Sequence, residues 1–415
     1  MNIAELKKEF SGCACGRAHT TALEDVVVDS GVTAAVGEIL QRNGFGRKLH
    51  VVADENTLRA AAGIERAPGA FDCTYTVYPD CRVASMDKVR ALETAFAGCD
   101  GVLSVGTGSV NDVCRLAAAR AGRPLAIFAT APSMDGFASA GAPIVDGCFK
   151  LTYTAASPRV VMADTRVLAA SPAYLKSAGF GDMMGKYVGL ADWRVSRLVS
   201  GEYYCEAVAS LTEEAVRRVV SMADRVTAED EAAAAALMEA LLLTGIGMAF
   251  TGNSRPASGT EHTLAHYWEC KKLERGDAPA FHGAEVAVAT LEIIRLYKDI
   301  VKHERVREVP ERTDWAAVYR AYDVQRAEIE KLNNPSPLAE LAPGAVQSHW
   351  ADIREEIGRL PDPGALDALY LSAGCARRVA DIGVDEALEK QGIEYHPYMR
   401  HRISLMRLLP MLELR

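Results

Sequence analysis

The sequence has no uninterrupted apolar run of the roughly 18–20 residues that a membrane span needs. Its longest candidate, Ala232 to Phe250, is broken by Glu239, Thr244, Gly245 and Gly247. The opening residues, MNIAELKKEF, lack a long apolar h-region, so no secretory signal is read there and a cytoplasmic protein is expected. Positive charge is not in excess. The 46 Lys and Arg stand against 55 Asp and Glu for a net charge of −9, which argues against a broad nucleic-acid surface or a polybasic membrane patch. An anionic small molecule is still allowed if a few cations and helix N-termini converge locally. Internal repeats and low-complexity linkers are also missing. With 49% hydrophobic and 24% charged residues, the composition excludes a disordered, collagen-like or heptad-repeat chain. At 415 residues, two or three domains are expected.

Paired Cys-x-x-Cys knuckles are absent. The ten cysteines are scattered, with only Cys13 and Cys15 close together, and read as reduced thiols that are mostly core or incidental. The segment from Cys13 to His19, CACGRAH, could bind a metal, but only three ligands lie together and Cys-x-Cys is a weaker signal than paired Cys-x-x-Cys knuckles.

Over the first 165 residues, short apolar runs alternate with helical stretches, the pattern of a parallel sheet built by right-handed crossovers. Strands are expected at Asp25–Val28, Lys48–Ala53, Thr74–Tyr78, Gly101–Val105, Leu125–Ala129 and Arg159–Ala163. Apolar residues at three and four spacing predict helices over Val32–Arg42, Asn56–Ala62, Met86–Ala97 and Ser109–Arg120. After about Thr165 the segments become long and rich in Ala, Leu and Glu, as in Glu206–Val226, Glu229–Phe250, Ala284–Lys298 and Trp315–Lys331, with no strand runs between them. The expected architecture is a doubly wound, Rossmann-like α/β domain over residues 1–165, followed by an all-α domain over residues 166–415. The last stretch of about 110 residues carries no usable motif.

Four segments carry chemistry. The first, VLSVGTGSVND from Val102 to Asp112, reads as a strand, a Gly-rich turn and a helix, in which Gly106 and Gly108 allow close backbone approach and the helix start offers N–H donors to a phosphate. It is not the G-x-G-x-x-G fingerprint, and a plain tight turn fits it equally. The second, ATAPSMDGFAS from Ala129 to Ser139, follows the next strand, where open α/β sheets bind ligands, although its Ser and Asp residues could simply cap a helix. In the third, GFGDMMGK, Asp182 and Lys186 share a helix face and taken alone read as a solvated ion pair. The fourth, SRPASGTEHTLAH followed by Phe281-His282-Gly283, alters that balance, because three of the nine histidines fall between 262 and 282. One Asp and two His leave a divalent metal with an open position for catalysis, whereas Asp182 with all three histidines would close the shell. The ligands read here are Asp182, His262 and His282, with His266 one turn on and facing substrate.

In this order and spacing the motifs resemble the sn-glycerol-1-phosphate dehydrogenase group of the superfamily that contains iron-containing alcohol dehydrogenases, glycerol dehydrogenases and dehydroquinate synthases. The match covers roughly residues 25–300, and the S-R-P-x-S-G-x-E-H segment is the most specific part. The resemblance implies a dehydroquinate synthase-like fold with dinucleotide contacts from Ser109, Val110, Asn111, Asp112 and Val113, from Thr130 and Ser133, and from Ser139. It implies substrate contact by Asp135, metal ligation by Asp182, His262 and His282, and substrate contact also by Asp182 and His266. Thr107 departs from the glycine common in relatives, and Thr260 stands where Ser is more usual. An aspartate at the first ligand position speaks against dehydroquinate synthase.

The implied reaction is reversible hydride transfer between NAD(H) or NADP(H) and dihydroxyacetone phosphate, assisted by one divalent metal, Zn, Ni or Fe, none of which an Asp-His-His set excludes. Arg255, Lys186 and the N–H groups near Ser258 are nominated for the substrate phosphate, and Asp54 for a ribose hydroxyl. The expected partners are this small phosphorylated substrate and a second copy of the chain in a homodimer. Two other readings are a glycerol dehydrogenase, which needs no phosphate pocket, and an NAD-binding sensor that has lost catalysis.

Overall fold

The computed structural model describes residues 1–147, 149–155 and 157–415. Its strands β1 (Asp25–Asp29), β2 (Lys48–Asp54), β3 (Asp72–Tyr78), β4 (Gly101–Gly106), β5 (Leu125–Ala129), β6 (Gly141–Asp146), β7 (Phe149–Thr154) and β8 (Val160–Asp164) form two sheets. Six of them make an all-parallel sheet in the order β1-β8-β5-β4-β2-β3. Every residue of β4, β5 and β8 is buried. Strands covered by helices on both faces are apolar throughout rather than alternating. Helices α1 (Ile3–Glu9), α2 (Val32–Arg42), α3 (Glu55–Ala60), α4 (Met86–Ala95) and α5 (Gly108–Ala121) belong to this half; α2 to α5 lie close to the expected spans, whereas α1 was not expected. A hairpin was not expected either: β6 and β7 pair antiparallel, and their mixed polarity kept them from standing out as strands. In the main sheet Gly106 is in register with Ala129, so the segments after β4 and β5 leave its edge side by side.

From Thr165 the chain is helical: α6 (Thr165–Ala170), α7 (Ala173–Ser200), α8 (Glu206–Val220), α9 (Glu231–Thr251), α10 (Thr260–Arg275) and α11 (His282–Ile300), then shorter helices. Helix α9 is long and apolar enough to cross a membrane, with a mean hydropathy of 1.8 over its best window, yet 72% of that window is buried inside the protein. Two cores explain its uniform apolarity. Leu237 and Leu241 join the helical core, while Met238, Leu242, Ile246 and Phe250 join the core shared with the sheet. Two expectations for this half are corrected. The chain is not strand-free, because Val306–Glu308 pairs antiparallel with Leu412–Leu414. Trp315–Lys331 is not one helix either; Asp323, with a φ of 43°, interrupts it after Tyr322.

Candidate active site

A cleft of about 1270 Å³ opens between the carboxyl edge of the sheet and helices α7, α10 and α11. Open α/β sheets bind ligands at this edge. Thr107 precedes α5 without capping it through its side chain, so the first N–H groups of a 14-residue helix are available where Thr107, Gly108 and Ser109 line the cleft. Thr130, Ser133, Asp135 and Ser139 line it from the segment after β5, and Asp54 and Asp112 from the wall.

The run from Gly106 to Val113 divides by helical periodicity. Ser109 and Asp112 reach the cleft, whereas the side chains of Val110, Asn111 and Val113 are buried toward the sheet. Asn111 is spent on the fold, accepting from Ser104 Oγ at 2.5 Å and donating to the Gly106 carbonyl at 3.4 Å. Gly106 does not line the cleft; a Cβ there would meet Val110 Cβ at 2.8 Å. Asp54 reaches the wall but mainly caps α3, its Oδ1 accepting the Thr57 N–H at 2.8 Å.

Deeper in the cleft, Asp182, His262 and His282 bring ligand atoms within 4.8 Å of one another. Two glycines allow the elements carrying them to meet: a Cβ on Gly179 would fall 1.9 Å from the Pro132 carbonyl oxygen, and one on Gly283 would fall 1.9 Å from that of Ala178. Asp182 Oδ2 accepts the Asp135 N–H at 2.9 Å, and its Oδ1 accepts from Lys186 Nζ at 2.7 Å. Burial alone would push the Asp182 carboxyl up, but the Lys186 ammonium and the His262 ring hold it well below the usual carboxylate range. Glu261 Oε1 sits 2.6 Å from His262 Nδ1 and fixes that ring, leaving Nε2 toward Asp182 at 3.3 Å. The Nδ1 of His282 is buried with no hydrogen-bond partner among the described residues. An orphaned imidazole nitrogen beside a carboxylate and a second imidazole suits a divalent cation. Burial, reinforced by the Lys150 ammonium, pushes both His266 and His282 well below the usual imidazole range, so these rings are neutral.

The cations nominated for phosphate are not in the cleft. Lys186 is fully buried, 2.7 Å from both Asp135 Oδ2 and Asp182 Oδ1, where it neutralises two carboxylates. Arg255 is 3% exposed; its Nε bonds Glu202 Oε1 at 2.9 Å and its Nη1 the Ile403 carbonyl at 2.9 Å. Arg400 and Arg402 line the cleft instead, with Asn253, Ser254 and Ser258. Arg402 donates to Ser254 Oγ at 2.8 Å and to the Ser258 carbonyl at 3.1 Å, and Arg400 donates to His266 Nδ1 at 3.1 Å. Neither makes an ion pair among the described residues, and burial holds both guanidinium groups below their usual range.

The family model described as iron-containing alcohol dehydrogenase matches residues 27–172. A glycerol-1-phosphate dehydrogenase (NAD(P)+) of Halalkalibacterium halodurans is 30% identical over 97% of this chain and 96% of its own length. This chain belongs to the glycerol-1-phosphate dehydrogenase family. The Bacillus subtilis enzyme of the same name is 36% identical over 72% of this chain and 78% of its own. The Thermococcus kodakarensis enzyme is 33% identical over 74% of this chain and 86% of its own. Among solved structures, the NADH-dependent butanol dehydrogenase A of Thermotoga maritima superposes with a TM-score of 0.62 at 15% identity, over 92% of this chain and 90% of that one. A probable glycerol dehydrogenase of Sinorhizobium meliloti superposes with a TM-score of 0.57 at 17% identity, over 91% and 97%. At these identities the structures establish the dehydroquinate synthase-like fold.

For this member of the glycerol-1-phosphate dehydrogenase family, sequence reasoning overlooked Arg400 and Arg402, as well as the ion pair of Lys150 with Glu269 at 2.8 Å beside the histidines. The signal for the arginines was a basic run, Met399-Arg-His-Arg402, in a chain that is otherwise acidic.

Proposed function

We propose that this chain is a divalent-metal- and NAD(P)(H)-dependent oxidoreductase interconverting dihydroxyacetone phosphate and sn-glycerol 1-phosphate. The relatives' shared name, glycerol-1-phosphate dehydrogenase, supports the reaction. The observation that carries the substrate is a pair of half-buried arginines that make no ion pair among the described residues, sharing one cleft with an Asp-His-His cluster. Desolvated cations are costly unless an anion joins them, and a phosphate oxygen array satisfies guanidinium forks. A glycerol dehydrogenase has no use for such a pair.

In this reading residues 1–165 hold the dinucleotide, its phosphates at the start of α5 and its remaining length along Thr130, Ser133 and Ser139. Residues 166–415 hold the metal and the substrate. When bound, the metal supplies Lewis-acid polarisation of a carbonyl, and the reduced nicotinamide supplies the hydride. Asp182, His262 and His282 hold that metal, and Lys186 keeps Asp182 ionised while offsetting the charge of Asp135. Asp135, ion-paired with Lys186 at 2.7 Å, presents its carboxylate as an acceptor for a substrate hydroxyl. Because Arg400 donates to Nδ1 of His266, the neutral ring carries its proton on Nε2, as a donor toward the substrate. Arg400 and Arg402 bind the phosphate and thereby fix which face of the carbonyl meets the nicotinamide.

A cytoplasmic homodimer completes the proposal. Strand β3 is an edge of the main sheet and leaves Tyr75 and Val77 43% and 41% exposed, an apolar edge that a second copy would cover. The deciding experiment follows NADH oxidation with dihydroxyacetone phosphate, with dihydroxyacetone and, in reverse, with glycerol, before and after EDTA and after refilling with zinc, nickel or iron. Turnover confined to the phosphorylated substrate and restored by metal is expected. Equal turnover of dihydroxyacetone would replace this reading with glycerol dehydrogenase, and none with any substrate would leave a sensor.

A further inference from the structure

Outside the residues that line the cleft, the N-terminal segment meets the helical half at a second set of ligand-type side chains. Cys13, Cys15, His19 and Cys205 bring their sulfur and ring-nitrogen atoms within 4.8 Å of one another, although Cys205 lies 192 positions beyond Cys13. The fourth ligand missing from the CACGRAH segment is therefore supplied by the turn that opens α8. We propose that these four residues form a structural zinc site, closed and separate from the Asp182 centre.

The separations fit a tetrahedron. With Zn–S near 2.3 Å and Zn–N near 2.0–2.1 Å, tetrahedral angles place sulfurs about 3.8 Å apart and a sulfur and a nitrogen about 3.6 Å apart. The observed values are 3.6 Å for Cys13 Sγ to Cys205 Sγ, 3.2 Å for Cys15 Sγ to His19 Nε2 and 3.5 Å for Cys205 Sγ to His19 Nε2. The sulfur separation is too long for a disulfide, whose bond is about 2.05 Å. His19 is oriented as zinc-bound imidazoles are: its Nδ1 lies 3.0 Å from the Phe250 carbonyl, which as an acceptor puts the proton on Nδ1 and leaves the Nε2 lone pair facing the thiols. Gly16, with a φ of 76°, turns the chain back so that its N–H reaches the Cys13 carbonyl at 3.1 Å, forming a tight loop around the two cysteines. Three thiolates and one imidazole are soft, saturating donors that select zinc and leave no position for substrate.

The position of the site gives it a task. It ties residues 1–19 to the end of α9 through Phe250 and to the start of α8 through Cys205. Gly252, Asn253 and Ser254, which follow α9 directly, line the cleft beside Arg402. The clamp thus anchors both the N-terminal segment and the support of the phosphate end of the active site.

Metal content tests the site independently of turnover. The protein is purified as wild type, as His262→Ala to empty the Asp182 centre, and as Cys13→Ser with Cys15→Ser, and zinc per chain is measured by plasma mass spectrometry. The His262→Ala chain is expected to keep one zinc, and the double serine variant to lose that zinc and become open to trypsin after Arg17. Should the serine variant fail to fold, the cobalt-loaded His262→Ala chain decides alone, since a Cys3His site gives thiolate-to-cobalt charge-transfer absorption in the near ultraviolet. A His262→Ala chain without stoichiometric zinc and without that absorption overturns the proposal. An intact mass showing a Cys13–Cys205 disulfide in the freshly isolated protein does the same. Failure of the dehydrogenase reading would alter none of these readouts.

Discussion

Arg400 Nη2 lies 3.1 Å from His266 Nδ1, across 134 positions of sequence. The contact joins the cationic end of the cleft to its histidine cluster, so the residue that would bind phosphate also sets the tautomer of a ring facing the substrate.

Replacing Arg402 by alanine removes a charge-assisted contact worth about 1.5–3 kcal/mol. The Michaelis constant for dihydroxyacetone phosphate should rise about 10–100-fold, with that for NADH unchanged. Arg400→Ala should add a fall in kcat, because His266 loses the donor that fixes its proton. Steady-state kinetics with each substrate varied in turn separate the two arginines, and an equal rise in both Michaelis constants would remove them from the phosphate site.

Arg255 predicts the opposite phenotype. Its guanidinium pairs with Glu202 and closes onto Ser196 and Ile403, so Arg255→Ala should lower unfolding free energy by about 2 kcal/mol. At temperatures where the variant is folded, its Michaelis constant for the phosphorylated substrate should change less than that of Arg402→Ala. Denaturant melts and kinetics on the same preparation check both parts.

In the proposed mechanism His262 helps to hold the cation at the Asp182 centre. His262→Ala should lose one metal equivalent and reduce turnover by about a thousandfold or more, since Lewis-acid assistance is worth several kcal/mol. Its far-ultraviolet circular dichroism should match wild type. Retained activity with retained metal at this centre would dismiss His262 as a ligand.

What could be read from the sequence follows from how locally each feature is encoded. The strands β4, β5 and β8 announce themselves because burial on both faces writes an apolar run into consecutive residues. Asp182, His262 and His282 were legible because each sits in a compact motif whose glycines are demanded by close approach, as at Gly179 and Gly283. Arg255 misled for the complementary reason: it lies inside a motif, but its role is decided by Glu202, which spacing does not reveal. Arg400 and Arg402 gain their meaning only when the chain returns to the cleft after more than a hundred residues. Within Ser109–Val113 the resemblance supplied a stretch, and helical geometry then sorted it into residues that face the cleft and residues that face the sheet.

At the joint between the two halves, stability depends on pH through one carboxylate. Asp164 ends β8 and caps α6, and its buried carboxylate accepts from Gly31 N–H at 3.2 Å, Thr33 N–H at 3.0 Å, Thr33 Oγ1 at 2.9 Å and Arg166 N–H at 3.2 Å. Burial would raise its pKa, but Arg166 and the donors of Thr33 and Gly31 outweigh it and hold the carboxyl well below the usual range. A carboxylate depressed in the folded state stabilises fully above its unfolded pKa of about 3.9, and that contribution is lost as pH falls toward the folded value. Asp164→Asn keeps the shape and removes the charge, so it should cost about 1–3 kcal/mol at pH 7. As the buffer is taken below about pH 4, the gap between wild type and variant should narrow, because the wild-type carboxylate is then giving up the same interaction. Urea melts of both proteins across that range measure the gap directly, and a gap that stays constant into acid would mean that Asp164 stabilises by packing rather than by charge.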